Sequence, residues 1–182
     1  MDLSKTLLLL FSYYNNKMSG KTTVQKRMYF LSDFLSKDFG FKHYYYGPFS
    51  NIVSQAIDYN CGLGFINEDF IFFSPELKRF DYTLTKDGMD FVQHLKSNGE
   101  KELSKELKKF YEIMINCGDN DDYNLLSCAA KIHYIKNQNP SLDFEKKSEI
   151  IKKLSSFGWK LSDTEFQSGK EFVKKYFKLK HK

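Results

Sequence analysis

Apolar residues recur every three or four positions through the first 36 residues, which is the spacing of amphipathic helices. The pattern predicts a first helix from about Leu3 to Asn15 and a second helix that ends near Ser36. Thr22, with Gln25 three residues later, has the spacing of a capping box and predicts the start of the second helix. Two helices therefore open the chain.

An aromatic run separates these helices from a third. The segment Phe41 to Tyr46 is too aromatic for a solvated loop and too short for a helix, so we predict an extended segment or a single strand that ends at Pro48. Ser50 is a favourable N-cap for a helix from Asn51 to Asn60, and Gly62 would stop that helix. Its predicted buried face consists of Ile52, Val53, Ala56, Ile57 and Tyr59.

Two β-rich runs follow the third helix. The runs Phe65 to Glu68 or beyond and Phe70 to Phe73 predict a first strand or strand pair, and Arg79 to Leu84 predicts the returning strand. Ser74 to Lys78 would form the tip of the hairpin, and Thr85 would cap the next helix. Helices followed by a hairpin in this order predict a winged helix.

The chain after Ser97-Asn98-Gly99 is predicted to be helical, and Ser162 with Glu165 three residues later predicts a capped last helix. The four predicted helices cover Glu102 to Cys117, Tyr123 to Lys136, Phe144 to Phe157 and Thr164 to Leu179. The predicted fold is therefore mostly α with a small β-hairpin. A winged-helix domain over residues 1–98 is followed by a C-terminal helical region over residues 99–182.

The position of the charges changes what this fold implies. The net charge of +5 favours a nucleic-acid partner. The tail from Lys170 to Lys182, however, holds six lysines and one glutamate, which equals the entire excess. The rest of the chain is close to neutral, so its charge alone predicts only modest affinity for phosphate.

Enzymatic and metal chemistry have little support in the sequence. The three cysteines are widely spaced and form no CxxC pair, which favours a reducing cytoplasm over a disulfide framework or a zinc site. Cys128 and His133 are interpreted as buried packing residues, the histidine with a hydrogen bond. The apolar run Leu7 to Phe11 is too short to span a membrane. We predict no catalytic residue, no metal site and no cofactor.

Two hypotheses about function remain open. In the first, the third helix enters the major groove of duplex DNA and the hairpin loop touches the backbone, because Asn and Gln can pair with adenine and cations can contact phosphates. The predicted DNA-binding residues are Lys21, Lys26, Arg27, Asn51, Ser54, Gln55, Lys78 and Arg79. In the second, the winged helix is a protein-binding antitoxin or adaptor without DNA contact. Its predicted partner-binding residues are Tyr44, Tyr45, Tyr46 and Phe49.

Several segments carry a family resemblance. Val24 to Leu31, Tyr45 to Ser50 and Tyr82 to Thr85 resemble the YwgA-like family of small prokaryotic winged-helix proteins, and Leu125 to Tyr134 is similar to the C-terminal part of that family. A more distant likeness is to Panacea-type antitoxin domains, which share an aromatic-rich early helix and a Gly-Pro step. The resemblance implies a winged-helix fold and a link to regulation or mobile elements, and it implies no catalytic residues.

The first hypothesis is thus a cytoplasmic, non-enzymatic homodimer that binds duplex DNA and regulates transcription or a mobile element. The near-neutral body of the chain favours the alternative, in which the partner is a protein.

Overall fold

Three helices and three strands make up the first half of the chain. A computed structural model describes residues 2–74 and 77–181. The elements of this half are α1 (Leu3–Tyr13), β1 (Lys17–Ser19), α2 (Lys21–Phe34), α3 (Asn51–Gly62), β2 (Ile66–Ser74) and β3 (Leu77–Leu84). The predicted hairpin is confirmed, and the chain within the described residues is mostly helical with one small antiparallel sheet.

The sheet has the order β1-β3-β2, which is the strand order of a winged helix. The short strand β1 was not predicted, because Asn15, Asn16 and Gly20 look only like breakers in the sequence. In the structure Asn15 and Asn16 adopt positive φ values of 53° and 60° and turn the chain after α1. That turn brings Met18 opposite Tyr82 of β3, so β1 becomes an edge strand.

The predicted capping box at the start of α2 is wrong. The N-cap is Gly20, with φ of 89° and no side-chain cap, and its N–H donates to the carbonyl of Phe80 at 2.8 Å. Gln25 is buried instead and pairs with the backbone of Ser50: its Oε1 accepts from the Ser50 N–H and its Nε2 donates to the Ser50 carbonyl, each at 3.0 Å. The Gln25 side chain, which the local pattern assigned to a cap, therefore binds the backbone of Ser50 instead.

The prediction for α3 is partly confirmed. The Ser50 hydroxyl caps the helix by accepting from the N–H of Val53 at 3.1 Å. The left-handed residue that follows the helix is Gly64, with φ of 73°, rather than Gly62, which lies in the last turn. The predicted strand before α3 is reduced to a single bridge between Lys42 and Phe49, with a turn between them.

Five helices complete the described chain, and their predicted positions are confirmed to within a few residues. They are α4 (Lys86–Asn98), α5 (Lys101–Cys117), α6 (Tyr123–Gln138), α7 (Lys147–Ser156) and α8 (Asp163–Lys180). Thr85 caps α4, and Ser162 with Glu165 forms the predicted capping box of α8. Gly169 of α8 lies so close to α6 that a Cβ there would sit 3.0 Å from the carbonyl carbon of Cys128.

One hydrophobic cluster connects both halves of the chain. It includes the run Leu7 to Phe11 of α1, which is buried on every side, and extends through α2 to Phe172 and Tyr176 of α8. As predicted, Cys128 is buried and His133 is buried with a hydrogen bond, a 2.8 Å contact between its Nδ1 and the hydroxyl of Tyr29. The C-terminal helices therefore cover much of the winged helix, and α6 packs directly on α2.

Candidate interaction surfaces

The two cations at the centre of α2 are not available to DNA. Arg27 is only 1% exposed, and its guanidinium donates from Nε and Nη2 to the two carboxylate oxygens of Asp119, at 2.8 and 2.7 Å. Nη2 also donates to Asp121 at 2.7 Å. The prediction that Arg27 contacts phosphates is wrong, because the loop between α5 and α6 supplies its anionic partners.

Tyr14 completes this buried ion pair. The guanidinium carbon of Arg27 lies 3.6 Å from the centre of the Tyr14 ring, and the Tyr14 hydroxyl donates to Asp119 at 2.8 Å. Burial, and then the charge of Asp119, raises the pKa of Tyr14 well above its ordinary value, so the phenol remains a neutral donor. The sequence analysis did not predict this structural role of Asp119.

Lys26 is buried as well, so its predicted contact with phosphates is also wrong. It is 2% exposed, and its Nζ donates to the carbonyl of Pro48 at 2.8 Å. No ion pair joins it to a carboxylate among the residues that the structure describes. Burial, and then repulsion from Lys131, lowers the pKa of Lys26 to about 7. This lysine supports the loop above it instead of facing solvent.

Only two of the three residues of α3 that were predicted to contact bases lie on its exposed face. Asn51 and Gln55 are exposed as predicted. Ser54 is buried and its hydroxyl accepts from Gln25 Nε2 at 3.1 Å, so its assignment to the DNA-facing side is wrong. The predicted buried residues Ile52 and Tyr59 are exposed instead, because α3 is rotated so that Val53, Ala56, Ile57 and Asn60 face the core.

The remaining cations of the predicted DNA site are dispersed. Arg79 is partly exposed, but its guanidinium donates to both carboxylate oxygens of Asp81, at 2.8 and 3.1 Å. Lys21 is partly exposed in the first turn of α2, and its charge acts on Cys61 at the end of α3. The backbone of Lys78 lies opposite Phe72 in the hairpin, and its side chain lies outside the described part of the chain, as do Pro75 and Glu76 of the predicted tip.

The segment from His43 to Phe49 is called the tyrosine loop. Hydrogen bonds to its backbone carbonyls fix it in place. The indole N–H of Trp159 donates to the Tyr44 carbonyl at 2.7 Å, and the Ser127 hydroxyl donates to the Tyr46 carbonyl at 3.0 Å. Together with the bond from Lys26 to Pro48, these donors come from α2, from α6 and from the segment before α8. Three separate parts of the fold therefore fix one loop.

Gly47 allows this close fit. Its φ is 102°, a conformation that L side chains rarely adopt, and a Cβ at this position would lie 3.2 Å from Lys131 Cγ and 3.3 Å from Lys26 Cε. The Gly47-Pro48 step therefore has a structural role. The step presses the backbone of the loop against two lysine stems and turns the preceding side chains outward.

The three predicted partner-binding tyrosines are exposed, and Tyr45 and Tyr46 are the most exposed of the Tyr and Phe side chains that the structure describes. The exposed fractions of Tyr44, Tyr45 and Tyr46 are 52%, 81% and 72%. Tyr44 lies between Tyr45 and Phe49, with ring centres 5.0 and 5.2 Å away, and Phe49 is partly buried. The structure thus brings Tyr44, Tyr45 and Phe49 into one aromatic cluster, and the exposed Tyr46 follows them in the same loop.

A second polar cluster lies where α2, α6 and α8 meet. Asp33 accepts from the Tyr176 hydroxyl at 2.9 Å and from Lys180 Nζ at 2.7 Å, and its carboxylate lies 3.4 Å from Nε2 of His133. Although burial opposes it, the interactions with His133 and then with Lys180 hold the pKa of Asp33 well below its ordinary value. These contacts satisfy the carboxylate and anchor the end of α8, which gives the cluster a structural role.

Comparison with known proteins adds no family assignment. No model of a known protein family matches the chain, and no curated protein matches it. The resemblance to the YwgA-like family and to Panacea-type antitoxin domains therefore stays a prediction. Within the described residues, no helix combines the length and the apolar character that a membrane crossing requires.

Proposed function

We propose that this protein is a protein-binding adaptor that recognises its partner through the tyrosine loop. The observation that carries the proposal is a fixed backbone that leaves three adjacent tyrosines exposed. Large exposed aromatic side chains are unusual on a surface that contacts only water, and they dominate the binding energy of many protein interfaces.

The rigidity of the loop supports this function. Binding is weakened by the entropy lost when loops and side chains become ordered at an interface. Here Trp159, Ser127 and Lys26 already hold the backbone, and a tyrosine side chain has only two χ angles to fix. A partner would therefore meet a surface whose shape is set before contact.

The charges around the loop indicate the chemistry of the partner. Between Asp38 and Asp58 the sequence contains no carboxylate. Lys42 is exposed beside the tyrosines, and the stem of Lys131 packs beneath Gly47. The complementary partner is a protein surface that combines apolar side chains with Asp or Glu.

Duplex DNA, the first hypothesis from the sequence, has weaker support. Of the predicted phosphate contacts, Lys26 and Arg27 are buried and Arg79 is paired with Asp81. The helix that would enter the groove, α3, has no lysine or arginine in its sequence. A DNA-binding surface needs several available cations, since phosphate contacts supply most of the non-specific affinity.

Site-specific cross-linking tests the proposal. A photo-reactive amino acid replaces Tyr45 in one variant and the exposed Ile115 of α5 in a control, and each protein is irradiated in an extract of the source organism. We expect a discrete protein adduct from position 45 and none from position 115. The purified partner should then bind the Tyr45→Ser/Tyr46→Ser variant roughly tenfold or more weakly than wild type, and the Ile115→Ser control with unchanged affinity.

The same protein is titrated with a mixed-sequence DNA duplex of about 30 base pairs at low and moderate salt. Tight binding of this duplex that weakens steeply with salt, without an adduct at position 45, would show that the protein binds DNA and would overturn the adaptor function. Equal affinity of the identified partner for wild type and for the double variant would also overturn the role of the loop.

A further inference from the structure

The strand β2 lies at the edge of the sheet. The sheet order is β1-β3-β2, so among the described residues β3 is the only strand that pairs with β2. The N–H of Gly20, next to β1, donates to the Phe80 carbonyl at 2.8 Å, so the even-numbered residues of β3 direct their backbone groups toward β1. Because β2 and β3 are antiparallel, the even-numbered residues of β2, Glu68 and Phe72 among them, direct their N–H and C=O groups away from the sheet.

This edge is more exposed than the strand beside it. Every side chain from Asn67 to Phe72 is exposed, whereas the side chains of β3 from Arg79 to Leu84 are buried or partly buried. Three of the exposed residues are apolar: Phe70, Ile71 and Phe72 are 55%, 43% and 61% exposed. Side chains alternate along a strand, so the two phenylalanines lie on one face of the sheet and Ile71 lies on the other. Apolar side chains therefore border both faces of the edge.

The apolar part of β2 lacks the usual protection of an edge strand. Natural proteins protect such an edge with lysine, with proline or with a bulge. β2 contains neither lysine nor proline. Its register shift lies between Phe72 and Ser74, beyond the apolar residues, and its two carboxylates, Glu68 and Asp69, lie before them. The protective features thus flank the apolar residues and leave them uncovered.

The residue order of β2 fits a second copy of the same strand. In an antiparallel pair whose two-fold axis passes through Ile71, that residue faces Ile71 of the second copy, and Phe70 faces Phe72 of the second copy. Each of the three apolar side chains then has an apolar residue opposite. An axis at Phe70 would instead place Asp69 opposite Ile71 and Glu68 opposite Phe72, and an axis at Asp69 would place two carboxylates opposite each other.

The charges of the hairpin favour the same orientation. Glu68 and Asp69 lie in the half of β2 next to the core, and Lys78 and Arg79 of β3 lie in the half next to the tip. The two-fold axis at Ile71 sets the acidic half of each strand beside the tip half of the other hairpin, so the carboxylates of the two copies are kept apart. A parallel pair in register would bring Glu68 of both copies together.

The hairpin has two further carboxylates. Asp81 is 4% exposed, accepts from Arg79 and lies 3.6 Å from Lys17 of β1, so its charge is balanced within one copy. Glu76 belongs to the tip, outside the described residues. Within the described part of the hairpin, Glu68 and Asp69 are therefore the exposed carboxylates that an approaching strand meets.

We infer that β2 pairs in antiparallel orientation with β2 of a second copy of this chain, with Ile71 of both chains on the two-fold axis. The two sheets then form one continuous sheet of six strands, in which the backbone groups at the edge bond to those of the other copy. The inference goes beyond the proposed function, because no residue of the tyrosine loop takes part. It also gives the homodimer predicted from the sequence a specific interface.

A disulfide at the axis tests this register. The odd-numbered residues of β2 direct their backbone groups toward β3, so the axis residues form a non-hydrogen-bonded pair with Cα atoms about 4.5 Å apart, within the range of a disulfide. Ile71→Cys is made in the full chain with Cys61→Ser, and the remaining native cysteines, Cys117 and Cys128, are buried. The control is Ile115→Cys in the same background, since Ile115 and Ile71 are both 43% exposed. After mild oxidation we expect a covalent dimer from the variant at position 71 and a monomer from the control.

Sedimentation velocity measures the dimer without a cross-link. Wild type should dimerise as its concentration rises. Ile71→Lys places two lysines opposite each other on the axis and should raise the Kd of the dimer roughly tenfold or more, whereas Ile115→Lys should leave it unchanged. Circular dichroism should show the same helix content in all three proteins, because both substituted side chains are exposed.

Three results would overturn the inference. They are a wild type that stays monomeric at every concentration, a dimer that Ile71→Lys does not weaken, and equal cross-linking at positions 71 and 115. If wild type is monomeric and a photo-reactive residue at position 71 captures a different protein, the edge pairs with a foreign strand and the second copy is wrong. Dimerisation should survive Tyr45→Ser/Tyr46→Ser, so failure of the proposed function is distinguishable from failure here.

Discussion

Replacement of Lys26 by methionine should make the protein more stable at neutral pH. The substitution keeps a flexible side chain of similar length and removes a cation that, within the described chain, is hydrogen-bonded to the Pro48 carbonyl and paired with no carboxylate. In the unfolded chain the lysine has its ordinary pKa of 10.5, and in the folded protein burial lowers the pKa to about 7. Folding at pH 7 therefore requires the ammonium either to lose its proton or to be buried with its charge.

The magnitude follows from the two pKa values. Between pH 7 and 10.5 the unfolded chain binds a proton that the folded protein does not, so the free energy of unfolding rises with pH. The rise is about 1.4 kcal/mol per pH unit, which places the total cost at pH 7 on the order of 4 kcal/mol. Loss of the hydrogen bond to Pro48 offsets about 1 kcal/mol, so the expected net gain is on the order of 3 kcal/mol.

The assay is urea unfolding at pH 7 and pH 9, followed by circular dichroism. The free energy of unfolding of wild type should rise by about 2 kcal/mol between these pH values relative to Lys26→Met. Only wild type has a buried lysine, whose cost for folding falls as the pH rises. The control is Lys153→Met, since Lys153 is exposed on α7 and its replacement should leave the pH dependence unchanged. Parallel pH profiles for wild type and Lys26→Met would refute the reasoning.

Three further predictions concern the contacts of the C-terminal helices with the winged helix and with one another. Asp119→Asn should lower the free energy of unfolding by about 3 to 5 kcal/mol, because it removes the buried carboxylate that pairs with Arg27 and leaves the guanidinium only the exposed Asp121 as an anionic partner. Arg27→Met/Asp119→Leu should recover part of that loss in urea unfolding, and a double variant as unstable as the single one would contradict this. Gly169→Ala should cost about 1 to 3 kcal/mol, because a Cβ would meet the α6 backbone at 3.0 Å, whereas Ser168→Ala beside it should be nearly neutral in thermal unfolding. Asp33→Asn should destabilise the protein at pH 7. The difference in stability from wild type should shrink as the pH falls through 3.8 and below, since a carboxylate with a lowered pKa stabilises the fold only while it is ionised. A difference that does not change with pH would contradict that account.

Interpretation of the sequence was most successful where one segment carries the whole signal. Ser50, Thr85 and Ser162 cap the helices that they were predicted to cap, because a cap needs only its own hydroxyl and a backbone N–H two or three residues away. The hairpin was also predictable, since alternation and turn residues are local. The capping box at Thr22 failed because Gln25 has a stronger use in binding the backbone of Ser50, 25 residues away.

Prediction of the candidate sites was less complete for the same reason. The four aromatic residues of the tyrosine loop were predicted as one group because they lie within six residues of the sequence. The exposure of Ile52 and Tyr59 on α3 was missed, because both residues were assigned to the core. A helix with apolar residues on both sides can be rotated either way, and only packing against α1 and α2 selected the orientation.

The sequence alone determined the helices and the hairpin and their order, because periodicity, caps and turns act over a few residues, whereas the edge strand β1 appears only in the tertiary structure. The tertiary structure alone decided which charges meet solvent. Arg27 and Asp119 are 92 residues apart, and Lys26 is buried only because α6 and the tyrosine loop close over it. Burial of a charge depends on partners brought together by folding, so the character of the surface follows from the assembled helices rather than from any one of them.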